Sequence, residues 1–200
     1  RNLFRRPVRT LLTLSGLTTV IVLVFIVIGF IRGLEHSLTA SGDPQVALLF
    51  SLGMGENLEY SSIPMRSSEL VAASVAGIKE FKERKYVSPE LYLGTQIELP
   101  EQGQSSMGLV RGVTQSALLV RRQVELESGG WPAPGEVLIG TLVSTKLGFT
   151  DQQLAVGQNI LLEGRTWRIS GTFSAADSAF ESEIWCRLDD LQQAMKRQDL

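Results

Sequence analysis

A long apolar segment near the start of the chain dominates its hydrophobic pattern. Residues 10–31, TLLTLSGLTTVIVLVFIVIGFI, carry no charge, and fifteen of these 22 residues are Leu, Ile, Val or Phe. As a helix the segment would be about 33 Å long, enough for a bilayer core of about 30 Å. It therefore predicts a membrane-spanning helix over residues 10–33. The alternative is a buried helix of a soluble protein, which rarely needs so long a run that is apolar on every face.

The helical pattern continues beyond the predicted span. Leu34 and Leu38 extend the apolar periodicity, and the run SGDP at residues 41–44 is typical of a helix stop. We therefore expect the helix to continue to about residue 41. A folded domain over residues 45–200 would follow.

Small residues occur at helical spacing within the span. Small residues four apart let two helices approach closely in lipid, so these positions are candidate helix contacts. The alternative is that Gly29 is a tolerated glycine and that Gly33 marks a loosening of the helix. The candidate residues are Ser15, Thr19, Gly29 and Gly33.

The remainder of the chain alternates short strand and helix patterns, which predicts a mixed α+β fold. Residues 128–135 are rich in turn residues and are a candidate switch between two subdomains. A turn at residues 163–165 predicts a hairpin. Strands are predicted over residues 46–50, 58–63, 86–99 in two pieces, 107–113, 136–139, 159–162, 166–173 and 183–188, and helices over 68–76, 114–120, 141–147 and from 189 onwards.

Three local signals refine this pattern. Gly148 is placed to end the helix that begins near residue 141. Asp189 and Gln192 have the spacing of a capping box. Trp131, among glycines and prolines, is expected to pack as a lid over the edge of the sheet, and Gly53-Met54-Gly55 is predicted to be a turn.

Charge around the apolar segment predicts its orientation. Four arginines and no acid precede the span, whereas Arg32 is followed closely by Glu35. This excess of arginine puts the N-terminus in the cytoplasm and residues 45–200 in the periplasm or outside the cell. Residues 1–9 are predicted to form a basic elbow. The residues expected at the membrane interface are Arg5, Arg6, Arg9 and Arg32.

A cleaved signal peptide is an alternative interpretation of the same segment. It would require a shorter apolar region and a small-x-small cleavage site. The segment is longer than that, and residues 38–40, Leu-Thr-Ala, place a large residue where a small one is needed.

Composition narrows the functional classes. Past residue 33 the chain has 14 Lys and Arg against 21 Asp and Glu, so this part is acidic and is not suited to bind nucleic acid or anionic lipid surfaces. The lipid bilayer is the expected partner of the basic N-terminus. The single cysteine, Cys186, cannot form an internal disulfide and lies in a predicted strand, where we expect it to be buried.

The sequence carries no recognisable catalytic, cofactor or metal motif. His36 is the only histidine, whereas metal sites generally need three or four ligands. No phosphate-binding loop with Gly-Lys occurs, and the Gly53-x-Gly55 pattern lacks its third glycine. Glu181 and Glu183 lie two residues apart on a predicted strand. We expect them to be solvated acids near the edge of a sheet and not a catalytic pair. We expect no cofactor in this chain and no catalysis by it.

A series of short motifs, taken in order, resembles a known family. The start NLFRRPVRTLLTLSGL is followed by SSIP, VSPEL, VRGVTQSAL and WPAPGEVLIG, then by a helix ending KLGF, LAVGQNILLEGRTWRISGTF and EIWCRLDDLQQAM. Their order resembles the first transmembrane helix and the MacB-like periplasmic core domain of MacB/FtsX-type ABC-transporter permeases. The resemblance covers nearly all 200 residues.

The resemblance implies a permease subunit in a bacterial inner membrane. Similar proteins have three further spans after this domain, which would lie beyond Leu200. They work as a homodimer or paired permease with an ABC ATPase, whose ATP-driven motion is passed through the membrane to the domain outside. This chain lacks the long coiled hairpin by which some relatives engage an outer-membrane or adaptor partner.

Two other functional classes compete with this interpretation. One is a single-pass membrane-anchored sensor or adaptor domain outside the cytoplasm. The other is an anchored hydrolase. Peptide, lipoprotein, lipid and small-molecule cargo all stay open, as does the direction of transport.

Overall fold

A computed structural model describes residues 7–52, 60–100 and 103–200 and divides the chain into two compact units, residues 1–42 and 43–200. The first unit is helix α1, Pro7–Ser41, which is continuous over 35 residues. Pro7 lies at its start, where a missing N–H costs nothing. Within the described residues, α1 is the one helix long and apolar enough to cross a membrane, over Pro7–Thr39. The predicted continuation to about residue 41 is confirmed.

In its described residues, the second unit contains nine strands, four short α-helices and the 3₁₀ turn named below. The helices are α2 (Arg66–Ser74), α3 (Ala117–Val120), α4 (Val143–Leu147) and α5 (Leu188–Met195), and the 3₁₀ turn is Ala179–Ser182. The strands are β1 (Glu80–Phe81), β2 (Arg84–Lys85), β3 (Leu91–Leu99), β4 (Gln104–Val113), β5 (Glu125–Gly129), β6 (Glu136–Gly140), β7 (Asn159–Leu162), β8 (Arg165–Ser174) and β9 (Glu183–Arg187). The predicted α+β class, with an N-terminal apolar helix, is confirmed.

Seven strands form one sheet in the order β5-β8-β6-β9-β4-β3-β7. Because β7 pairs with β8 as well as with β3, six of these strands form a closed ring, and β5 extends it from β8. The β4–β9 and β6–β8 pairs are parallel and the other pairs are antiparallel. Closure leaves few free strand edges, which protects the backbone hydrogen bonds of the ring.

The core lies on this sheet in two clusters of buried side chains. Trp167 belongs to the larger cluster, and Trp185 belongs to the smaller one. The Trp185 ring packs 4.8 Å from Phe173 and edge-on to Phe180 at 6.5 Å, measured between ring centroids. Four of the five residues of β9 are buried, as expected for a strand in the middle of a sheet. The Cys186 thiol lies there, and burial raises its pKa, so the thiol is inert.

Several predicted elements are confirmed near their predicted bounds. The β7–β8 hairpin turns through Glu163 and Gly164, with Leu162 paired to Arg165. Helix α4 ends at Gly148, whose φ of 73° is the left-handed conformation that glycine adopts without strain. Trp131 packs half-buried against the smaller core cluster, as a lid would.

Several predictions are wrong. The strand expected over residues 58–63 is not found over its described residues, 60–63. Residues 46–50 were also expected to form a strand, but they pair with no strand within the described residues and are largely exposed. The capping box at the start of α5 does not form, because the amide of Gln192 donates to the carbonyl of Asp199 and the helix has no side-chain cap. The predicted turn at residues 53–55 lies outside the described residues.

The turn-rich connection at residues 128–135 has two parts. Its first residues, Ser128 and Gly129, close strand β5, which the sequence pattern did not predict. The remainder leads into β6, so the connection joins two strands of the same sheet. The division into two subdomains stays a prediction.

Candidate functional site

The second unit contains a groove of about 710 Å³, which we call the groove throughout. A volume between about 300 and 1,000 Å³ is typical of small-molecule sites in proteins. It is lined by residues 43–50, by α2 and the residues that follow it to 79, by residues 86–92, and by Arg111 and residues 119–122.

Apolar side chains form the walls of the groove. On one side lies the segment of residues 46–50, in which Leu48 and Leu49 are more than half exposed. On another side α2 and the residue after it contribute Val71 and Val75, which lie on one helical face because they are four residues apart. Helix α2 has no buried residue. The unit therefore leaves unburied apolar surface that ordinary folding would cover.

Two arginines and two glutamates form a buried network at the floor. Arg111, on β4, holds both carboxylate oxygens of Glu183 on β9, with N–O distances of 2.6 and 2.7 Å. It also donates to Glu90 at 2.9 Å, and Arg121 donates to the same carboxylate at 2.6 and 3.1 Å. The order Arg121–Glu90–Arg111–Glu183 alternates in sign. Two-pronged arginine–carboxylate pairs fix orientation as well as charge.

Aromatic rings enclose this network. The Arg111 guanidinium lies 4.4 Å from the ring centroid of Tyr92, and that of Arg121 lies 4.3 Å from Phe180. The indole N–H of Trp185 donates to Glu183 at 2.9 Å, and the Ser88 hydroxyl donates to Glu90 at the same distance. The four charged side chains are thus almost fully shielded from water. Each of them has charged or hydrogen-bonding partners, as a buried ion pair requires.

The network changes the acidity of its members. Burial alone would raise the pKa of Glu90, but the charges and hydrogen bonds of Arg111 and Arg121 outweigh it and hold that pKa below its usual range. Burial would lower the pKa of Arg111, but Glu183 and Glu90 raise it instead. Glu90 and Arg111 are therefore charged at neutral pH. The formal charges of the two arginines and the two glutamates of the network cancel.

The mouth of the groove carries two cations around one amide. The Lys79 ammonium donates to the Gln45 side-chain oxygen at 2.6 Å, and the Arg122 guanidinium lies 3.4 Å from the same oxygen. Arg122 also pairs with the Asp43 carboxylate at 3.3 Å. The backbone N–H of Gln45 and the guanidinium of Arg122 lower the pKa of Asp43. Two positive charges thus face one negative charge at the mouth.

The acids Glu181 and Glu183 correct a prediction from the sequence. Both were expected to be solvated at a sheet edge, but both are buried. Glu181 lies in the 3₁₀ turn, where its carboxylate accepts hydrogen bonds from the backbone N–H groups of Ala175 and Asp177 at 2.7 and 3.2 Å. Glu183 belongs to the floor network. They serve different partners and do not form an acid–base pair.

The sequence-predicted site residues lie on α1 or before it. Arg5 and Arg6 lie outside the described residues, and Arg9 and Arg32 are exposed on α1. The Thr19 hydroxyl donates to the carbonyl of Ser15 at 2.9 Å. A Cβ added at Gly29 or Gly33 would meet no atom within 4 Å. These interface and helix-contact roles stay predictions.

The groove offers a ligand two kinds of surface. Across residues 7–52, 60–100 and 103–200 no three His, Cys, Asp or Glu side chains are grouped as metal ligands. The charged side chains of the floor are held by one another and by aromatic rings, so they shape the groove. The apolar walls and the positive mouth are the parts that a ligand could contact.

Sequence reasoning missed the groove and its floor. Glu90 and Arg111 lie in VSPEL and VRGVT, beside or within predicted strands. A charge inside a strand pattern is the available signal, because buried charges are paired when they occur. Nothing in the spacing of positions 90, 111, 121 and 183 indicates that they meet.

Comparisons with known proteins agree on one kind of domain. The family model described as MacB-like periplasmic core domain matches residues 10–199. No curated protein sequence matches the chain.

Two solved structures have a similar fold. The periplasmic region of MacB from Actinobacillus actinomycetemcomitans has a TM-score of 0.54 at 10% identity, with coverage of 76% of this chain and 68% of that one. The extracellular domain of the noncanonic ABC-type transporter YknZ from Gram-positive bacteria has a TM-score of 0.52 at 15% identity, with 69% of each chain covered. At these identities the likeness establishes the fold.

Proposed function

Because this chain belongs to the family of MacB-like periplasmic core domains, we propose that it is part of a permease subunit of an ABC transporter. In this role it is non-catalytic and couples ATPase-driven motion, through the membrane helix, to a domain outside the cytoplasm. The transport would be export or the handling of lipoproteins or lipids. The family match, which begins inside the apolar helix and ends at residue 199, is the observation that carries the proposal.

The geometry of α1 supports coupling by a rigid element. It is one unbroken helix from Pro7 to Ser41, longer than the roughly 20 residues that a bilayer core requires. A helix that leaves the membrane without a break transmits displacement without local chemistry. The domain that follows has a closed strand ring and a core of its own, so it can move as a body.

The proposed location is a bacterial inner membrane, with the N-terminus in the cytoplasm and residues 45–200 outside it. The arginine excess before the span supports this orientation. The proposed partners are an ABC ATPase subunit, on which ATP is hydrolysed, and a second permease copy or a paired permease.

The test uses the complete gene product together with the ABC ATPase encoded beside it. We expect the two proteins to co-purify in detergent. Spin labels at Lys146 of one permease copy and Arg168 of the other should report an ATP-dependent change in the distance between their two outer domains. Replacing Ser37 by Pro would break α1 beyond the membrane and should abolish that movement while ATP hydrolysis persists. Failure to bind any ABC ATPase would contradict the proposal.

A second candidate is a single-pass membrane-anchored sensor or adaptor. The observation that favours it is the ligand-sized groove in a domain joined to one apolar helix. This function would need no ATPase. A complete gene product with no further apolar spans, together with ligand binding unaffected by any ATPase, would support it over the permease.

A further inference from the structure

The groove has the chemistry of a site for an amphiphile. We propose that it binds the acyl chain of an anionic single-chain lipid, whose head group lies between Lys79 and Arg122. This proposal deepens the proposed function, on which it rests for the groove lying outside the cytoplasm, by naming a substrate class.

The apolar walls select a hydrocarbon chain over a polar solute. Val46, Leu49 and Val75 are each at least about a third exposed, although all line one concave surface. Burying apolar surface is favourable by roughly 25 cal/mol per Å². Folding leaves these walls exposed, so a hydrocarbon chain that covers them would bind with this favourable free energy. A polar solute of the same size would gain nothing from these walls and would lose its hydration.

The floor offers no charge to the ligand. Arg111 and Arg121 are already satisfied by Glu90 and Glu183, at N–O distances of 2.6 to 3.1 Å. The network fixes the shape of the groove while its alternating charges cancel. The deep end of the groove therefore suits a hydrocarbon tail, and selection for charge must come from another part of the site.

The mouth provides that selection. Lys79 and Arg122 both reach the side-chain oxygen of Gln45, so two like charges are held side by side and Asp43 balances one of them. An anion that takes the place of the neutral Gln45 oxygen would relieve their repulsion and accept charge-assisted hydrogen bonds from both. Past residue 33 the chain carries 14 Lys and Arg against 21 Asp and Glu, so the paired cations of the mouth stand against an overall acidic background. Charge and walls together fit one anionic head with an apolar tail.

The test is photolabelling of the full chain in nanodiscs of zwitterionic phosphatidylcholine. The probe is a lysophosphatidylglycerol with a diazirine in its acyl chain, and mass spectrometry locates the labelled residues. We expect labels within residues 46–50 and 71–76. The same diazirine on lysophosphatidylcholine should label these residues about tenfold less, because the charge-assisted contacts are lost.

Matched variants separate the two parts of the site. Lys79→Gln with Arg122→Gln should lower labelling by lysophosphatidylglycerol about tenfold, and Val75→Asn should lower it for both lipids. Lys146→Gln removes an exposed lysine elsewhere in the unit and should change nothing. All of these side chains are exposed or half-exposed, so the variants should fold.

Four results would overturn the proposal. They are labels confined to α1, equal labelling by the two lipids, a loss with Lys146→Gln as large as that with Lys79→Gln, and displacement of the probe by inorganic phosphate as effectively as by unlabelled lysolipid. An acidic apolar peptide that binds while the lysolipid does not would assign the groove to a protein partner instead. The photolabelling experiment contains no ATPase. Its failure would overturn the lipid site and leave the proposed ATPase coupling standing, and a failure of the coupling test would leave the lipid site standing.

Discussion

The strand ring and the groove side of the same unit differ in how far their apolar side chains are buried. In the ring, Trp167, Ile97 and Val110 are almost completely buried. On the groove side, α2 buries none of its residues, and residues 46–50 are apolar and exposed. Burial of apolar surface stabilises a domain, so the ring supplies most of the stability of this unit. The groove side buries little apolar surface and contributes less. This difference is the basis on which we propose that a ligand covers the groove side.

The buried network should give the largest effect, because it lies where the two regions meet. Arg111→Ala would leave Glu183 without its arginine and Glu90 with Arg121 alone, at a cost of about 3 to 5 kcal/mol in the free energy of unfolding. Arg168→Ala removes an exposed pair with Glu136 at 3.7 Å and should cost less than about 1 kcal/mol. Urea unfolding of the full chain in detergent measures both. Equal costs would show that the floor network is not structurally special.

A glycine in the ring tests how tightly that region is packed. A Cβ added at Gly140 would lie 2.2 Å from the backbone carbonyl oxygen of Glu181, which cannot move without displacing the 3₁₀ turn. We expect Gly140→Ala to cost about 3 kcal/mol, through overpacking against backbone. Gly130→Ala, with no atom within 4 Å, is the matched control and should be nearly neutral. The midpoint of thermal unfolding gives the comparison.

The same substitution, Val→Ala, can be made in both regions, and its cost in stability compares them directly. Val110 is fully buried in β4, so Val110→Ala should cost about 2 kcal/mol for the lost methyl groups and the cavity that remains. Val75 is 50% exposed in the groove wall, so Val75→Ala should cost less than about 0.5 kcal/mol. Urea midpoints measure the pair. A large cost at Val75 would mean that the groove wall contributes to stability after all.

The smallest expected effect is a dependence on pH that comes from Glu90. Its pKa in the folded chain lies below the usual value of 4.5. Its stabilising contribution is therefore complete above about pH 4.5 and is lost as the pH falls through the folded pKa. Glu90→Gln should be less stable than the parent at neutral pH, and this gap should shrink on acidification. Urea midpoints over a pH series measure the gap, and a constant or widening gap would contradict the assignment.

How much of the fold could be predicted depended on how local each signal was. The β7–β8 hairpin follows from a two-residue turn, Glu163-Gly164, between two strand patterns, and the end of α4 follows from Gly148. The strand expected over residues 46–50 did not form, because an apolar run forms a strand only when a neighbouring strand is available to pair with it. Strand β5 was missed because its residues are polar and exposed, and it forms by pairing with β8.

The sequence by itself determined the long apolar helix, the acidic α+β domain after it and the family, because these depend on composition, run length and the order of motifs. Only the tertiary structure decided the strand ring and the site. Positions 90, 111, 121 and 183 form one network, and Lys79 and Arg122 meet at Gln45, because the strand pairing and the fold of the chain around the ring bring distant segments together. Contacts between such distant residues have no spacing rule, so no pattern along the chain could indicate them.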